Sequence, residues 1–297
     1  GLRLEAGVAA HHAIVYRVPP EQVARARAVD AADDGPGWRC FGGSGLPSGD
    51  ADTVGSLDDA PWVGGWAPGN PERVTPDGFG VRLAAGSRVV LQMHYSALAG
   101  EGLDRTRLRV RLTDATRDLQ NLQTMLLAAP VELPCAPGQQ GPLCERDVAV
   151  LNLMSRFGVS SGARVAGLHL LCGRDPADPR PGPTQSCDRR INEAMTVRAA
   201  AAHMHLLGRS MRIEANPDTP RARTILNVPT YDFDDQGGTW LRRPVRLAPG
   251  DVVRVTCTHD ATLRDALPAL ADEQDRYVVW GEGTTDEMCL GILSVTG

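Results

Sequence analysis

The chain has 297 residues, 42% of them hydrophobic, and a formal net charge of -5. That composition is globular, which excludes a disordered or collagen-like chain and suffices for two cores of roughly 100–150 residues each. No basic block appears, which argues against nucleic acid as a partner. No apolar run reaches the ~20 residues of a membrane span. All 31 Lys+Arg residues are arginine, which removes Schiff-base chemistry and the phosphate-loop lysine.

Short β-like runs separated by Gly, Pro and Asp turns dominate the chain. "HHAIVYRV" (11–18) reads as a strand. "PEQVARARAVDAADD" (20–34) is the best helix candidate, with its proline at the start, where the missing N–H costs nothing. "SRVVLQMHYS" (87–96) and "LRVRLTD" (108–114) follow as strands. Across "TRLRVRLT" (106–113), Leu108, Val110 and Leu112 alternate with Arg107, Arg109 and Arg111, the pattern of a half-buried antiparallel strand. The polar stretch "DATRDLQNL" (114–122) is a candidate junction between an N-terminal unit, 1–118, and a C-terminal unit, 119–297. Beyond it, "ARVAGLHLLC" (163–172), "MTVRAAAAHMHLLG" (195–208), "SMRIEA" (210–215), "PVRLAPGDVVRVTCTH" (244–259) and "DRYVVWGEG" (275–283) again read as strands. There is no βαβ alternation and no GxGxxG after a strand, which argues against a nucleotide-binding α/β fold. The predicted class is all-β, as sandwiches or jelly rolls.

Of the seven cysteines, none forms a C-x-x-C pair, so a zinc-ribbon or thioredoxin-type site is excluded. Wide spacing in loop-like contexts suits disulfides in an oxidising, secreted or periplasmic setting, with any export signal outside these residues. Cys135 and Cys144 flank a natural small loop, Cys172 and Cys187 flank a proline-rich one, and Cys257 and Cys289 would join distant segments. Other connectivities remain open. In this arrangement Cys40 is left over.

The histidines carry the chemistry. His203 and His205 stand at i and i+2, so in a strand they share a face, close enough to grip one ion, while Met204 points to the core. His11 and His12 are adjacent; a flat strand sends them to opposite faces, and a bulge can bring both to one ion. His94 is a single strand histidine, and His169 and His259 read as structural. Met288, beside Cys289, is a thioether, a soft ligand suited to Cu(I).

In order, "HHAIVYR" (11–17), "WRCFGG" (38–43), "GGWAPGN" (64–70), "GFGVRLAAGSRVVLQMHYS" (78–96), "AAHMHLLGRSM" (201–211) and "TTDEMCLGIL" (284–293) resemble the copper type II ascorbate-dependent monooxygenases. The resemblance implies two tandem antiparallel β-sandwich, jelly-roll-like domains with a copper-containing cleft between them. It implies two copper ions per chain, ascorbate as electron donor and O2 as co-substrate. By position, His11, His12 and His94 match the electron-transfer copper, and His203, His205 and Met288 match the catalytic copper. Gln92 matches a residue that supports the first site from behind, and "VTCTHD" (255–260) before "DEMC" fits the family's conserved disulfide.

The chain departs from the peptide-processing branch of that family. The positions that hold a substrate carboxylate there are Ala201, Leu290 and Ile292 here. An apolar site cannot repay the desolvation of an unpaired anion. The expected substrate is therefore a small molecule, more hydrophobic or aromatic, or a small peptide that is not glycine-extended. The family's cysteine just after the first histidine pair is replaced near Val18, which fits an unpaired Cys40. The alternatives are a non-catalytic copper-binding or relay protein on the same scaffold, a zinc hydrolase and a carbohydrate-binding sandwich. The zinc reading suffers from methionine being a poor zinc ligand.

Overall fold

The computed structural model describes residues 2–5, 10–40, 43–46, 62–67, 74–95, 105–114 and 116–297. Its N-terminal part contains β1 (Leu2–Glu5), β2 (Ala10–Val18), α1 (Val23–Asp30), β3 (Trp62–Trp66), β4 (Phe79–Gly80), β5 (Arg88–Tyr95) and β6 (Arg107–Val110). There follow β7 (Gln120–Asn121), β8 (Gln123–Ala128), β9 (Glu132–Leu133), α2 (Arg146–Phe157) and α3 (Val159–Leu171). The rest comprises β10 (Thr184–Arg190), β11 (Met195–His203), β12 (Gly208–Ala215), β13 (Arg223–Val228), β14 (Thr239–Leu247), β15 (Val252–His259), α4 (Leu263–Ala266), β16 (Val278–Val279) and β17 (Leu290–Thr296).

The C-terminal part is a sandwich of two antiparallel four-stranded sheets, in the orders β10-β15-β12-β13 and β14-β11-β17-β8. The alternation that made β15 legible is the reason it lies here: Val253, Val255 and Cys257 are fully buried and the residues between them are not. Met211 and Ile213 of β12 meet Leu293 and Val295 of β17 in one apolar core. Gly291 of β17 marks the close approach of the sheets: a Cβ there would stand 2.7 Å from Ile213 Cδ1. The Cys257–Cys289 disulfide joins the sheets covalently. The N-terminal part has an antiparallel sheet, β3-β2-β5, and a β1-β6 pair. The class is therefore mostly β, in antiparallel sheets, as expected.

Two expectations are corrected. "ARVAGLHLLC" is not a strand but the body of α3, preceded by α2. Its buried residues are Ser161, Val165, Gly167, Leu168 and His169, with Ala149 and Leu153 in α2; the large side chains among them follow the 3.6-residue period and not the two-residue one. Gly158, at φ +85°, turns the chain between the helices without the steric penalty of a Cβ. At Gly162 the helices touch, with Met154 Sδ 2.6 Å from where a Cβ would be. Secondly, β6 ends at Val110, and Val110 and Leu112 are exposed, so the alternation in 106–113 does not build a half-buried strand. Among the described residues its strand partner is β1, and Val110 and Leu112 stay exposed there.

All three suggested disulfides are present: Cys135–Cys144, Cys172–Cys187 and Cys257–Cys289. The second ties the end of α3 to β10. Cys40 is free. No helix among the described residues is long and apolar enough to cross a membrane.

Candidate metal centre

The β2–β5 pairing shifts register between Ala10 and His12, which makes His11 the extra residue of a β-bulge. Such a bulge re-aims side chains that a flat strand would send apart. The His11 side chain itself lies outside the described residues. His12 and His94 are direct cross-strand partners. Their Nδ1 atoms lie 3.3 Å apart, with the rings edge to face at 4.5 Å. Two nitrogens each ~2.0 Å from one ion at a tetrahedral angle stand about 3.3 Å apart, so the pair has the spacing of two ligands. Burial, then the nearby His203, pushes the His94 pKa down to about 4. Its imidazole is therefore neutral at ordinary pH, as a ligand must be.

Gln92 lies two residues before His94 on β5. Its Nε2 donates to Gly43 O (2.9 Å) and Cys40 Sγ (3.3 Å), and its Oε1 accepts from Tyr16 OH at 3.2 Å. It thus braces the strand that carries His94 against the Cys40 segment. Burial pushes the Cys40 thiol pKa up, against the bond from Gln92.

β11 ends at His203, and His205 sits in the turn that follows. The two rings are 5.2 Å apart. Gln236 Nε2 donates to the Phe233 carbonyl at 2.8 Å, so its oxygen faces His203 Nδ1 at 2.7 Å. His203 therefore carries its proton on Nδ1, which leaves the Nε2 lone pair for a metal. His205 Nδ1 likewise donates, at 3.2 Å, to the carbonyl of Asp286, a group that can only accept. Burial lowers the His203 pKa, opposed by the Gln236 bond and the charge of Glu287. Both rings are thus set in the tautomer that presents Nε2, which fits a metal site.

Met204 is fully buried in the sandwich core, as predicted. Tyr231 OH accepts from its N–H (3.0 Å) and donates to its carbonyl (2.7 Å), clamping the residue between the two histidines. Gly208 closes the turn. A Cβ there would stand 2.8 Å from Met204 Cβ, an atom fixed to the backbone, and 3.0 Å from Tyr231 Cδ1. Gly208→Ala is expected to destabilise by about 1–3 kcal/mol, read as a melting temperature lowered by roughly 2–12 °C. An unchanged melting temperature would show that the turn yields freely.

Met288 is buried just before β17, next to the disulfide-bonded Cys289. The residues around it reach the His205 turn. Asp286 accepts from the ring of His205, as above. Glu287, which the sequence did not single out, is fully buried, and its carboxylate accepts from the N–H groups of His205 (3.0 Å), Leu207 (2.6 Å) and Met288 (3.2 Å). His259, read as structural, places Nε2 3.4 Å from Glu287 Oε2 and 3.2 Å from the Met288 carbonyl. Glutamate followed by Met-Cys was the one available signal, and it names no partner. His169 is far along the chain in a separate buried cluster with Glu132, at 2.7 Å.

The two sets of histidines meet. His12 and His203 are edge to face with centroids 5.5 Å apart. His94, His12, His203 and His205 form one run of imidazoles, where the resemblance implied centres facing each other across a cleft. Among the described residues no three His, Cys, Asp or Glu side chains gather on one point. The third member of one proposed set is His11, outside the described side chains; that of the other is the Met288 thioether.

Around His203 the sheet is apolar. Ala201 pairs with Ile292 and His203 with Leu290, so all four share one face of β11 and β17. On this face Leu126 and Ala128 of β8 lie opposite Ile292 and Leu290. The positions that would anchor a carboxylate in the peptide-processing enzymes thus form a greasy floor.

Residues 183–294 match the sequence profile of the copper type II ascorbate-dependent monooxygenase C-terminal domain. Over this segment the chain is similar to the copper type II ascorbate-dependent monooxygenases. The segment runs from β10 into β17 and contains His203, His205, Glu287 and Met288. Across 269 residues, 85% of the chain, the protein is 24% identical to DBH-like monooxygenase protein 2 of Mus musculus. The chain spans about a third, 36%, of that relative's length. Among solved structures, a ruminal GH26 endo-beta-1,4-mannanase aligns over 37% of this chain and 17% of its own, at 15% identity and a TM-score of 0.18. Dimeric latent PorU from Porphyromonas gingivalis aligns over 98% and 25%, at 12% identity and a TM-score of 0.21. At those scores neither carries a structural correspondence.

Proposed function

We propose that the chain is a copper-dependent monooxygenase that hydroxylates an activated C–H bond with O2, using ascorbate as reductant. His11, His12 and His94 would hold one copper and His203, His205 and Met288 the other, in two units that meet near residue 118. The observation that carries this is the buried corner in which His203 and His205, both protonated on Nδ1, adjoin the turn bearing Met288. A donor set of two imidazoles and a thioether favours the reduced, soft ion. Bound copper supplies the one-electron chemistry that links ascorbate and O2 to a C–H bond.

The chain's own groups do the rest. Gln236 and the Asp286 carbonyl hold the imidazole protons away from the ligand side. Tyr231 and Glu287 hold the turns. Ala201, Leu290 and Ile292 offer a substrate apolar contact and no partner for an anion. The substrate class that fits is a neutral or aromatic small molecule. The three disulfides fit an oxidising compartment, which supports reading the protein as secreted or periplasmic.

The test is direct. Copper-loaded protein, ascorbate and O2 are combined with phenethylamines, aryl alkyl compounds and glycine-extended peptides, and products are screened by mass for one added oxygen. Product from an apolar or aromatic compound is expected. Turnover of a glycine-extended peptide is not expected at micromolar to millimolar concentration, and its detection would refute the apolar-floor assignment. Two bound copper ions with no product from any compound would favour the relay reading.

A further inference from the structure

We propose that Glu287 is a positioning residue that registers the His205 turn against the Met288 turn, with His259 as its backing donor. This rests on the reading of His203, His205 and Met288 as one copper site. The two turns are 82 residues apart in sequence, and one carboxylate joins them. Oε1 accepts from Leu207 N–H, while Oε2 accepts from His205 N–H and Met288 N–H. The backbone of Glu287 is itself fixed: its carbonyl accepts from Gly281 N–H at 3.0 Å, and it forms a β-bridge with Trp280.

A fully buried carboxylate is costly unless it is amply hydrogen-bonded. The sandwich core has its own apolar contacts, and an apolar side chain would pack behind Met288 without that cost. What the carboxylate adds is two acceptor oxygens at once: Oε1 takes Leu207 N–H, and Oε2 takes His205 N–H together with Met288 N–H, so the pair spans both turns. No neutral side chain of this shape offers that. Glutamine has one acceptor oxygen, and its NH2 group would face either Leu207 N–H or the pair from His205 and Met288. His259 completes the set. Its Nε2 points at Glu287 Oε2 and the Met288 carbonyl, both acceptors, so it donates toward the clamp; its Nδ1 is buried without a hydrogen-bond partner among the described residues. The imidazole's polar engagement is thus entirely with Glu287 and Met288.

The experiment compares the unsubstituted protein with Glu287→Gln and Glu287→Asp. It measures copper stoichiometry, affinity under reducing conditions, and copper–sulfur scattering by X-ray absorption. Melting behaviour and the Cys257–Cys289 disulfide report folding. Expected is that E287Q keeps one tightly held copper, binds the second about 10–100-fold more weakly and loses sulfur scattering. E287D, still an acceptor at both oxygens, should recover part of the affinity. A folded E287Q with unchanged affinity and sulfur scattering would overturn the proposal. Should E287Q not fold, His259→Phe decides: it removes one donor and leaves three backbone N–H groups, so a loss of about tenfold supports the proposal and an unchanged second site overturns it. Absence of sulfur scattering in the unsubstituted protein would remove Met288 from the ligand set, a failure of the underlying reading and distinct from failure of the clamp.

Discussion

Met288→Leu is expected to lower ascorbate-driven hydroxylation by at least about 100-fold, since loss of a direct ligand should exceed the 10–100-fold typical of residues behind it. Copper at the His12 and His94 end should remain bound. Leucine is the informative replacement because Met288 is buried. Alanine would leave a cavity costing about 2–5 kcal/mol and confuse packing with ligation, whereas a Leu-for-Met exchange usually costs less than about 1.5 kcal/mol. A thioether that serves only as core filling would be replaced with little consequence. One that binds the reduced ion would take activity and one equivalent of copper with it. Copper content, oxygen uptake and melting temperature separate the cases. A variant that melts like the parent and hydroxylates at the parental rate would remove Met288 from the site.

Much of this corner could be read from residue order alone. An H-x-H pair at the end of an apolar strand has few bland explanations, but the two-residue period does not place His205: the strand ends at His203, and the turn that follows sets the second ring. Strands β12 and β15 announce themselves by clean alternation. Helices α2 and α3 did not, because a ten-residue apolar window such as "ARVAGLHLLC" fits either period, and only the longer stretch from 146 to 171 shows the helical one. Glu287 was invisible for a different reason. Three of its partners are backbone N–H groups, which every residue but proline possesses, so no pattern of side chains marks it. The approach of His12 to His203 depends on how the two parts of the chain pack, and no local spacing encodes that.

The largest stability effect is expected at Glu132, outside the metal centre. Its carboxylate is fully buried and receives both Nε and Nη2 of Arg146 at 2.6 Å, His169 Nε2 at 2.7 Å and Tyr277 OH at 2.9 Å. These four donors join β9, α2, α3 and the segment before β16, and so fasten the helical hairpin to the sandwich. Burial alone would raise the Glu132 pKa; the bonds from Arg146 and His169, with the Arg146 charge and Tyr277, outweigh it and hold the pKa below the usual range. Glu132→Gln keeps the shape but replaces one acceptor oxygen with a donor facing donors, and leaves Arg146 with only the exposed Asp147, 3.8 Å away, as an ion-pair partner among the described residues. Breaking a buried pair in this way costs about 3–5 kcal/mol. The low end applies because the Arg146 side chain is 21% exposed and can rehydrate. A melting temperature lower by roughly 6–12 °C is expected. The effect carries a pH signature. A carboxylate whose pKa is depressed by folding stabilises fully above its unfolded value of about 4.3, and that contribution fades as pH falls through the folded value. The stability gap between parent and E132Q should therefore be constant from about pH 7 to 5 and shrink below about pH 4. Urea unfolding across that range reads it. A gap that persisted undiminished at about pH 3 would mean that glutamine fails by shape, and that the charge of Glu132 does not hold the hairpin in place.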